Sequence, residues 1–318
     1  MDDRAILWPY ESGEVGDFYY ARYAHPTVVE AEEKLGELDR GHAVLFPSGT
    51  GAATGLVLTL LRPGDTVALA AGAYFGTGKL FEALGQWGLR YLEFDQTGPP
   101  PEGVQLVWLE APSNPFLTMP DLEVAVDYPA PVVVDSTVAT PFGLRPLEHG
   151  ADYARHSATK ALGGHDDILL GVVVCRDAAA AEDLRRMRAL TGISPPAEQA
   201  WLLLRSLRTL EVRVRRQAET AAIVAERLRT HPKVEVVRYP GLGSLISFDV
   251  ADGAAARRVE SSTRVVLNAT SLGSVRSLIE SRHKWEGDRC PEGLLRLSVG
   301  LEGPEELWAD LAQALDLA

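Results

Sequence analysis

Residues 42–61 read HAVLFPSGTGAATGLVLTLL, and the fold is decided there. A short apolar run ends at Pro47, a turn of small residues follows through Gly51, and the apolar residues resume as a helix. A strand that passes through a glycine turn into a helix opens a βαβ unit. The pattern then repeats downstream. RPGDTVALAA (residues 62–71) is a turn and a buried strand over Thr66–Ala70, and a helix is expected near Leu80–Trp87. Strands are expected at Arg90–Phe94, Val104–Leu109, Pro131–Val134 and Asp152–His156, and a helix upstream at Thr27–Leu38. Short apolar runs alternating with helices indicate a mostly parallel sheet covered on both faces, an α/β architecture.

Further on the pattern changes. Leu203, Leu207, Leu210, Val214, Ala218, Ala221, Ala225 and Leu228 recur at steps of three and four, which predicts one long helix over Pro196–Arg229. HPKVEVVRYPGLGSLISFDV (residues 231–250) stops it and begins new strands, so the C-terminal part is expected to be a smaller α+β unit. The expected organisation is an N-terminal arm over 1–19, a large domain over 20–218 and a small domain over 219–318.

The 318 residues include 46% hydrophobic and 24% charged residues, ordinary values for a globular enzyme-sized chain. A formal net charge of −13 disfavours a nucleic acid or an anionic membrane as partner. The two cysteines, Cys175 and Cys290, form no CxxC pair and suggest neither a disulfide framework nor a zinc site. The start, MDDRAILWPYESGE, lacks a basic segment followed by an apolar run, and no apolar stretch approaches the roughly 20 residues of a membrane helix. A cytoplasmic location is expected.

Lysine occurs only at 34, 79, 160, 233 and 284, so each can be judged singly. Lys160 stands in HSATKALGGHDD (residues 156–167), among hydroxyl and glycine residues just after a strand. A solvated lysine, with a pKa near ~10.4, is a poor nucleophile, whereas a walled site with other positive charge nearby lowers that value and activates the amine. Ser157 and Thr159 supply hydroxyls suited to a phosphate beside it. An incidental lysine in a surface loop is the plain alternative. Asp135 ends the buried strand of PVVVDST (residues 131–137), where active groups of parallel sheets collect, and a carboxylate there suits a protonated pyridine nitrogen. A helix cap or an ion pair is its alternative. FPSGTGAATG (residues 46–55) opens a helix whose first N–H groups suit one phosphate, and it matches neither GxGxxG nor GxxxxGK[ST]. Tyr74 follows a strand and could stack on a flat cofactor or simply fill the core. Arg296, inside the strand-like LLRLSVGLE (residues 294–302), suits a substrate carboxylate or an internal ion pair.

Taken in chain order, these segments resemble the Cys/Met metabolism (transsulfuration) family, pyridoxal 5′-phosphate (PLP) enzymes of the aspartate-aminotransferase-like fold, fold type I. YYARYAHPT (19–27) is similar to the family's Tyr-x-Arg…NPT segment, AYFGTGKLF (73–81) to YGGTxRLF, and EAPSNP (110–115) to ExPxNP. VDSTVATP (134–141) is similar to VDNTxxxP and SATKALGGHDD (157–167) to SATKxxxGHxD. LLRSLRTLEVR, YPGL, SLGSVRSLI and RLSVGLE continue the series to residue 302.

The resemblance implies that Lys160 bonds the PLP aldehyde, that Asp135 pairs with the ring nitrogen and that Tyr74 stacks on the ring. It implies Ser48, Gly49, Thr50, Ser157 and Thr159 at the phosphate, with Asn114 and Thr137 at the ring edge. Tyr20 and Arg22 match residues that reach the phosphate of a neighbouring subunit, so a homo-oligomer is expected, a dimer at least and a tetramer by family habit. Asn114, Ser271, Arg296 and Lys79 are the implied substrate-binding residues, and the substrate an amino acid. The expected activity is carbon–sulfur cleavage of the cystathionine γ-lyase type. Cystathionine γ-synthase, methionine γ-lyase and cystathionine β-lyase are the alternatives within the family, and an idle PLP-fold binding protein the alternative outside it. His156, His165, Asp166 and Asp167 fit no standard metal-ligand spacing, and no metal is expected.

Several positions depart from the family pattern. Thr270 stands where cystathionine γ-enzymes carry Glu, and Gly76 where methionine γ-lyases carry Cys. Lys79 replaces an Arg, Phe75 a Gly, Thr50 a Met, Ser136 an Asn and His25 an Asn. Little precedes Tyr20, and the stretch between YPGL and SLGS is short.

Overall fold

The structure, a computed structural model, describes residues 5–318; the first four residues of the expected arm lie outside them. The arm folds back on itself. Trp8 N–H donates to the Tyr19 carbonyl and Ala21 N–H to that of Ile6, and the Trp8 ring is buried against Phe18 and His25.

Helix α1 (Pro26–Asp39) starts with Pro26 in its first turn and the His25 ring accepting from Thr27 N–H. Next come β1 (His42–Phe46), α2 (Gly49–Leu60), β2 (Thr66–Ala70), α3 (Phe75–Leu84), β3 (Arg90–Phe94) and β4 (Leu106–Glu110). They are followed by α4 (Leu122–Val126), β5 (Val132–Asp135), α5 (Thr140–Gly143), β6 (Tyr153–Ser157), β7 (Gly171–Cys175) and α6 (Ala178–Thr191). The seven strands form one sheet in the order β1-β7-β6-β5-β4-β2-β3. Residues of β1, β4, β5 and β7 are buried nearly throughout, as strands covered on both faces must be. Trp108 of β4 is fully buried, edge-on to Phe81 of α3.

One strand departs from the parallel expectation. β7 runs antiparallel to both β1 and β6. The loop 158–170 between β6 and β7 carries the lysine turn and no helix, and without a crossover helix the chain returns in the opposite direction. β7 therefore begins at the same end of the sheet at which β6 stops. Gly171 allows this close approach, because a Cβ there would lie 2.2 Å from the Ser48 carbonyl oxygen.

The predicted long helix is two helices, α7 (Ala197–Leu207) and α8 (Leu210–Arg229), broken at Arg208–Thr209. The buried Arg213 holds the break. Its Nη2 donates to the Ser206 carbonyl (3.0 Å), Nε to Thr209 Oγ1 (3.2 Å) and Nη1 to the Ala161 carbonyl (2.8 Å). In a continuous helix the Ser206 carbonyl would accept from Leu210 N–H; here it accepts from Thr209 N–H (3.2 Å) and from the guanidinium instead.

A second sheet follows α8, from β8 (Val236–Arg238), β9 (Leu245–Asp249), β10 (Leu267–Asn268), β11 (Leu278–Ser281) and β12 (Leu294–Ser298). Its order is β10-β11-β12-β9-β8, antiparallel except for the β10–β11 pair. α9 (Gly253–Ser262) and α11 (Pro304–Leu315) pack with α8 over its apolar residues, and the short α10 (His283–Glu286) lies between β11 and β12. Among the described residues no helix is long and apolar enough to cross a membrane.

Candidate active site

The parallel strands β2, β4, β5 and β6 all end on one side of the first sheet, where ligands of such sheets bind. A cavity of about 270 Å³ opens there and is closed from above by the segment 270–272 and by Arg282, Trp285 and Arg296 of the second sheet's unit. It brings together Lys160, Tyr74, Asp135, Ser48, Gly49, Thr50, Asn114, Thr137, Ser157, Thr159, Ser271 and Arg296. Of the residues expected from sequence, only Tyr20, Arg22 and Lys79 lie elsewhere.

Lys160 sits in the turn after β6. Its Nζ donates to Ser271 Oγ at 2.8 Å. Burial, and next the positive charge of Arg296, lower its pKa to about 8, so about a tenth of the amine is unprotonated at pH 7, hundreds of times more than for a solvated lysine. Ser271 has a positive φ of 98°, an uncommon conformation for a residue with a side chain.

At the floor, Asp135 ends β5. Its Oδ1 accepts from Thr137 N–H (3.1 Å) and from Thr137 Oγ1, and Thr137 Oγ1 in turn accepts from Ser157 N–H at 2.8 Å. Asp135 Oδ2 accepts from Arg155 of β6. Glu110, at the end of β4, accepts from Tyr74 N–H at 2.7 Å and so fixes the backbone that presents the Tyr74 ring. Burial, with the Asp135 charge beside it, holds the Glu110 carboxyl well above the usual carboxylate range.

The phosphate end is the start of α2. Ser48 caps the helix, Oγ accepting from Gly51 N–H at 2.9 Å, and its carbonyl takes Ala52 N–H. The N–H groups of Gly49 and Thr50 come first, where a helix supplies no internal acceptor. A Cβ at residue 49 would meet Arg155 Nη2 at 2.6 Å and Ser157 Oγ at 3.0 Å. That cradle suits a compact anion at a helix N-terminus. The Thr159 hydroxyl is engaged with the Leu170 backbone, donating to its carbonyl and accepting from its N–H, both at 3.1 Å.

Opposite the lysine, Arg296 of β12 is buried. Its Nη1 donates to Asn114 Oδ1 (2.9 Å) and its Nη2 to the Ser271 carbonyl (3.0 Å) and Glu280. Burial and then the Arg282 charge lower its pKa to about 10. Glu280 also receives Arg282 Nη1 (2.8 Å), Trp285 Nε1 (2.9 Å) and, weakly, Thr270 Oγ1 (3.4 Å). This planar fork, pre-set by neutral and anionic partners, suits a carboxylate.

Lys79 lies outside the cavity, exposed on α3 and paired with Glu82 at 2.8 Å. Tyr20 and Arg22 lie at a separate surface groove, Arg22 over the Tyr20 and Tyr23 rings and donating to the Ala189 carbonyl. His156 is buried against Asp39, and His165 bonds the Gly163 carbonyl. The polar cavity residues not anticipated from sequence are Glu110, Arg155, Arg282 and Trp285, and the apolar ones are Val138, Leu169 and Leu272. Arg155 left a signal, a charge inside a strand whose neighbours on either side are buried.

An amine of lowered pKa, a carboxylate at a strand end, an anion cradle and a carboxylate fork in one cavity of a seven-stranded α/β sheet define a fold type I PLP enzyme. The chain belongs to the family described as "Cys/Met metabolism PLP-dependent enzyme", which matches residues 7–316. It is therefore a PLP-dependent enzyme of the lyase and synthase group that handles sulfur amino acids. A Streptomyces coelicolor protein provisionally named cystathionine gamma-lyase is 41% identical over 331 residues, covering 95% of this chain and 84% of the relative. The L-methionine gamma-lyase of Pseudomonas putida is 34% identical over 344 residues, covering 96% and 86%. The crystal structure of Xanthomonas oryzae pv. oryzae cystathionine gamma synthase in complex with cystathionine superposes with a TM-score of 0.94 at 32% identity, covering 98% of this chain and 91% of that one.

Proposed function

We propose that the chain cleaves a carbon–sulfur bond by γ-elimination from a thioether amino acid, as a cystathionine γ-lyase does. The observation that carries this reading is the Lys160 amine, with a pKa lowered to about 8 and bonded to Ser271 Oγ, in the cavity that also holds the Arg296–Asn114 fork. Bound PLP supplies the electron sink for charge that develops at the substrate α-carbon. Lys160 Nζ would hold the cofactor at its aldehyde carbon; as a free amine it would take the substrate's α-proton and then a β-proton as general base, and as ammonium it would give a proton to the sulfur that leaves Cγ. Ser271 Oγ steers that amine. Asp135 holds the ring nitrogen, Tyr74 covers the ring, and Asn114 and Thr137 border its edge. Ser48, Gly49, Thr50 and Ser157 bind the phosphate, and Thr159, turning its hydroxyl from the Leu170 carbonyl when the anion enters, completes the set. Arg296, with Asn114 and Ser271 beside it, binds the α-carboxylate. Lys79 is assigned no role in its own subunit's cavity.

A homo-oligomer, dimeric at least and tetrameric by family habit, completes the site in this reading, with Tyr20 and Arg22 reaching a neighbour's phosphate. Their distance from this chain's own cavity supports that assignment. The boundary between the domains falls at 218/219, supported by the core of the second sheet, whose helical residues begin at Ala221. The enzyme is placed in the cytoplasm in this reading, and its net charge of −13 disfavours attachment to an anionic membrane surface.

The test is borohydride reduction of the PLP-loaded protein, followed by mapping of the modified peptide. The adduct is expected on Lys160 and absent from Lys160→Ala; an adduct on another lysine refutes the assignment. Product analysis across cystathionine, methionine, homocysteine, cysteine and O-acyl-homoserines then separates γ-lyase from γ-synthase, methionine γ-lyase and β-lyase. No turnover of any of them by PLP-loaded protein would identify a binding protein.

A further inference from the structure

The floor of the cavity holds a positive charge that nothing in the proposed chemistry requires. β5 and β6 pair so that Asp135 stands opposite Arg155, and the two form an ion pair with side chains only 3% and 6% exposed. A carboxylate offers about four lone-pair sites. Thr137 N–H and Oγ1 both use Oδ1, and Arg155 Nη1 uses Oδ2. The space left for a further donor is on Oδ2, beside the guanidinium. Arg155 lines the cavity itself, its Nη2 fills the place a side chain at residue 49 would need, and its buried Nε has no hydrogen-bond partner among the described residues. Glu110 is buried in the same group, close enough for the Asp135 and Arg155 charges to act on it.

We propose that Arg155 is a positioning residue that shares the Asp135 carboxylate with the cofactor's ring nitrogen and weakens the preference of that carboxylate for a protonated ring. The proposal rests on the assignment of Asp135 to the ring nitrogen. A ring N–H must dock on the one remaining face of Oδ2, where the attraction of the carboxylate is opposed by a guanidinium at similar range. In a water-poor interior both effects act more strongly than in solution. The carboxylate is already neutralised without the cofactor, so a protonated ring adds less there than it would opposite an unpaired aspartate. The result is a weaker electron sink.

The test compares the affinity of cofactor-free protein for PLP and for its deaza analogue, in which the ring nitrogen is replaced by CH. Equilibrium dialysis supplies the dissociation constants and circular dichroism the state of the fold. In wild type, loss of the ring nitrogen should weaken binding by less than about threefold, and in Arg155→Met by about tenfold or more, the effect of a charge-assisted hydrogen bond. Arg155→Gln, which keeps a donor but not the charge, should fall between, and it decides the matter on the same ratio if Arg155→Met does not fold. Equal penalties in wild type and in the folded variant overturn the proposal. So does an equal loss of affinity for both cofactors, which would assign Arg155 to the phosphate. In the double variant Asp135→Asn, Arg155→Met the penalty should vanish again. If it appears in Arg155→Met and persists in the double variant, the assignment of Asp135 falls instead.

Discussion

Lys160→Met is expected to stabilise the cofactor-free protein, by an amount that shrinks as pH rises. Burial lowers the amine from 10.5 to about 8 in the folded state. Below about pH 8 the amine is charged in both states, and the folded state carries the full desolvation penalty. Each pKa unit is about 1.36 kcal/mol, so the shift corresponds to roughly 3 kcal/mol. Between about 8 and 10.5 the unfolded chain binds more protons than the folded one, and wild-type stability therefore rises with pH through that window. Methionine removes the penalty, and also the hydrogen bond to Ser271, worth about 1 kcal/mol. The net gain near pH 7 is about 2 kcal/mol, falling by about 2 kcal/mol by pH 9.5, where only one unit of the shift is still to be relieved. Urea denaturation of both proteins at pH 7 and pH 9.5 measures the difference. A difference in stability that is the same at both pH values would refute the burial of a charged amine at this position.

Other outcomes follow from the same geometry. Arg296→Lys keeps the charge opposite Glu280 but loses the fork, and should lower kcat/KM about ten- to a hundredfold through KM; an unchanged KM would remove Arg296 from substrate binding. Gly49→Ala drives a Cβ to 2.6 Å from Arg155 Nη2 and should weaken PLP binding at least about tenfold, one charge-assisted bond's worth, as fluorescence titration would report. Thr270→Glu sets a carboxylate beside Arg282 and Glu280, and should raise the preference for cystathionine over methionine about tenfold; an unchanged ratio of kcat/KM values would locate discrimination elsewhere. Arg22→Ala should weaken PLP retention without unfolding the chain, and a PLP-saturated, fully active monomer in sedimentation would contradict the role of Arg22 across an interface.

The parts legible in sequence were those whose cause is local. The turn after Phe46 needs glycine at 49, and the residues of β5 are apolar up to the aspartate at its end, so both could be read from neighbours in the chain. The direction of β7 could not. GVVVC is an apolar run whichever way it points, and what reverses it is the missing crossover helix in 158–170. The helix break at Arg208–Thr209 was hidden for a similar reason. The period of three and four continues through it, and the partners of Arg213 at Ala161 and Leu162 are some fifty positions away. Arg155 was visible as an oddity, but its partner is set by register between two strands. Arg282 and Trp285 come from a segment without periodicity. Lys79 lies outside its own subunit's cavity because α3 starts at Phe75 and turns residue 79 toward Glu82 and solvent, an orientation its neighbours in the chain do not reveal.

The anchoring of Arg213 has a further consequence for which changes of length the chain can absorb. The guanidinium ties the first turn of α8 to the backbone of the residues just after Lys160, and Gln217, one turn on, donates to the carbonyls of Ser274 and Val299. The reactive amine and the arginine fork are thus held at a common distance by two residues of a single helix, four positions apart. Insertions in the loop 239–244 would leave that distance untouched. One extra residue between Ser206 and Arg213 would rotate the rest of α8 by about 100°, carry Gln217 away from both carbonyls and misalign Arg296 with Lys160 while each sheet kept its own core. Variation in length along this chain is therefore expected at the rim of the second sheet and forbidden over these eight positions.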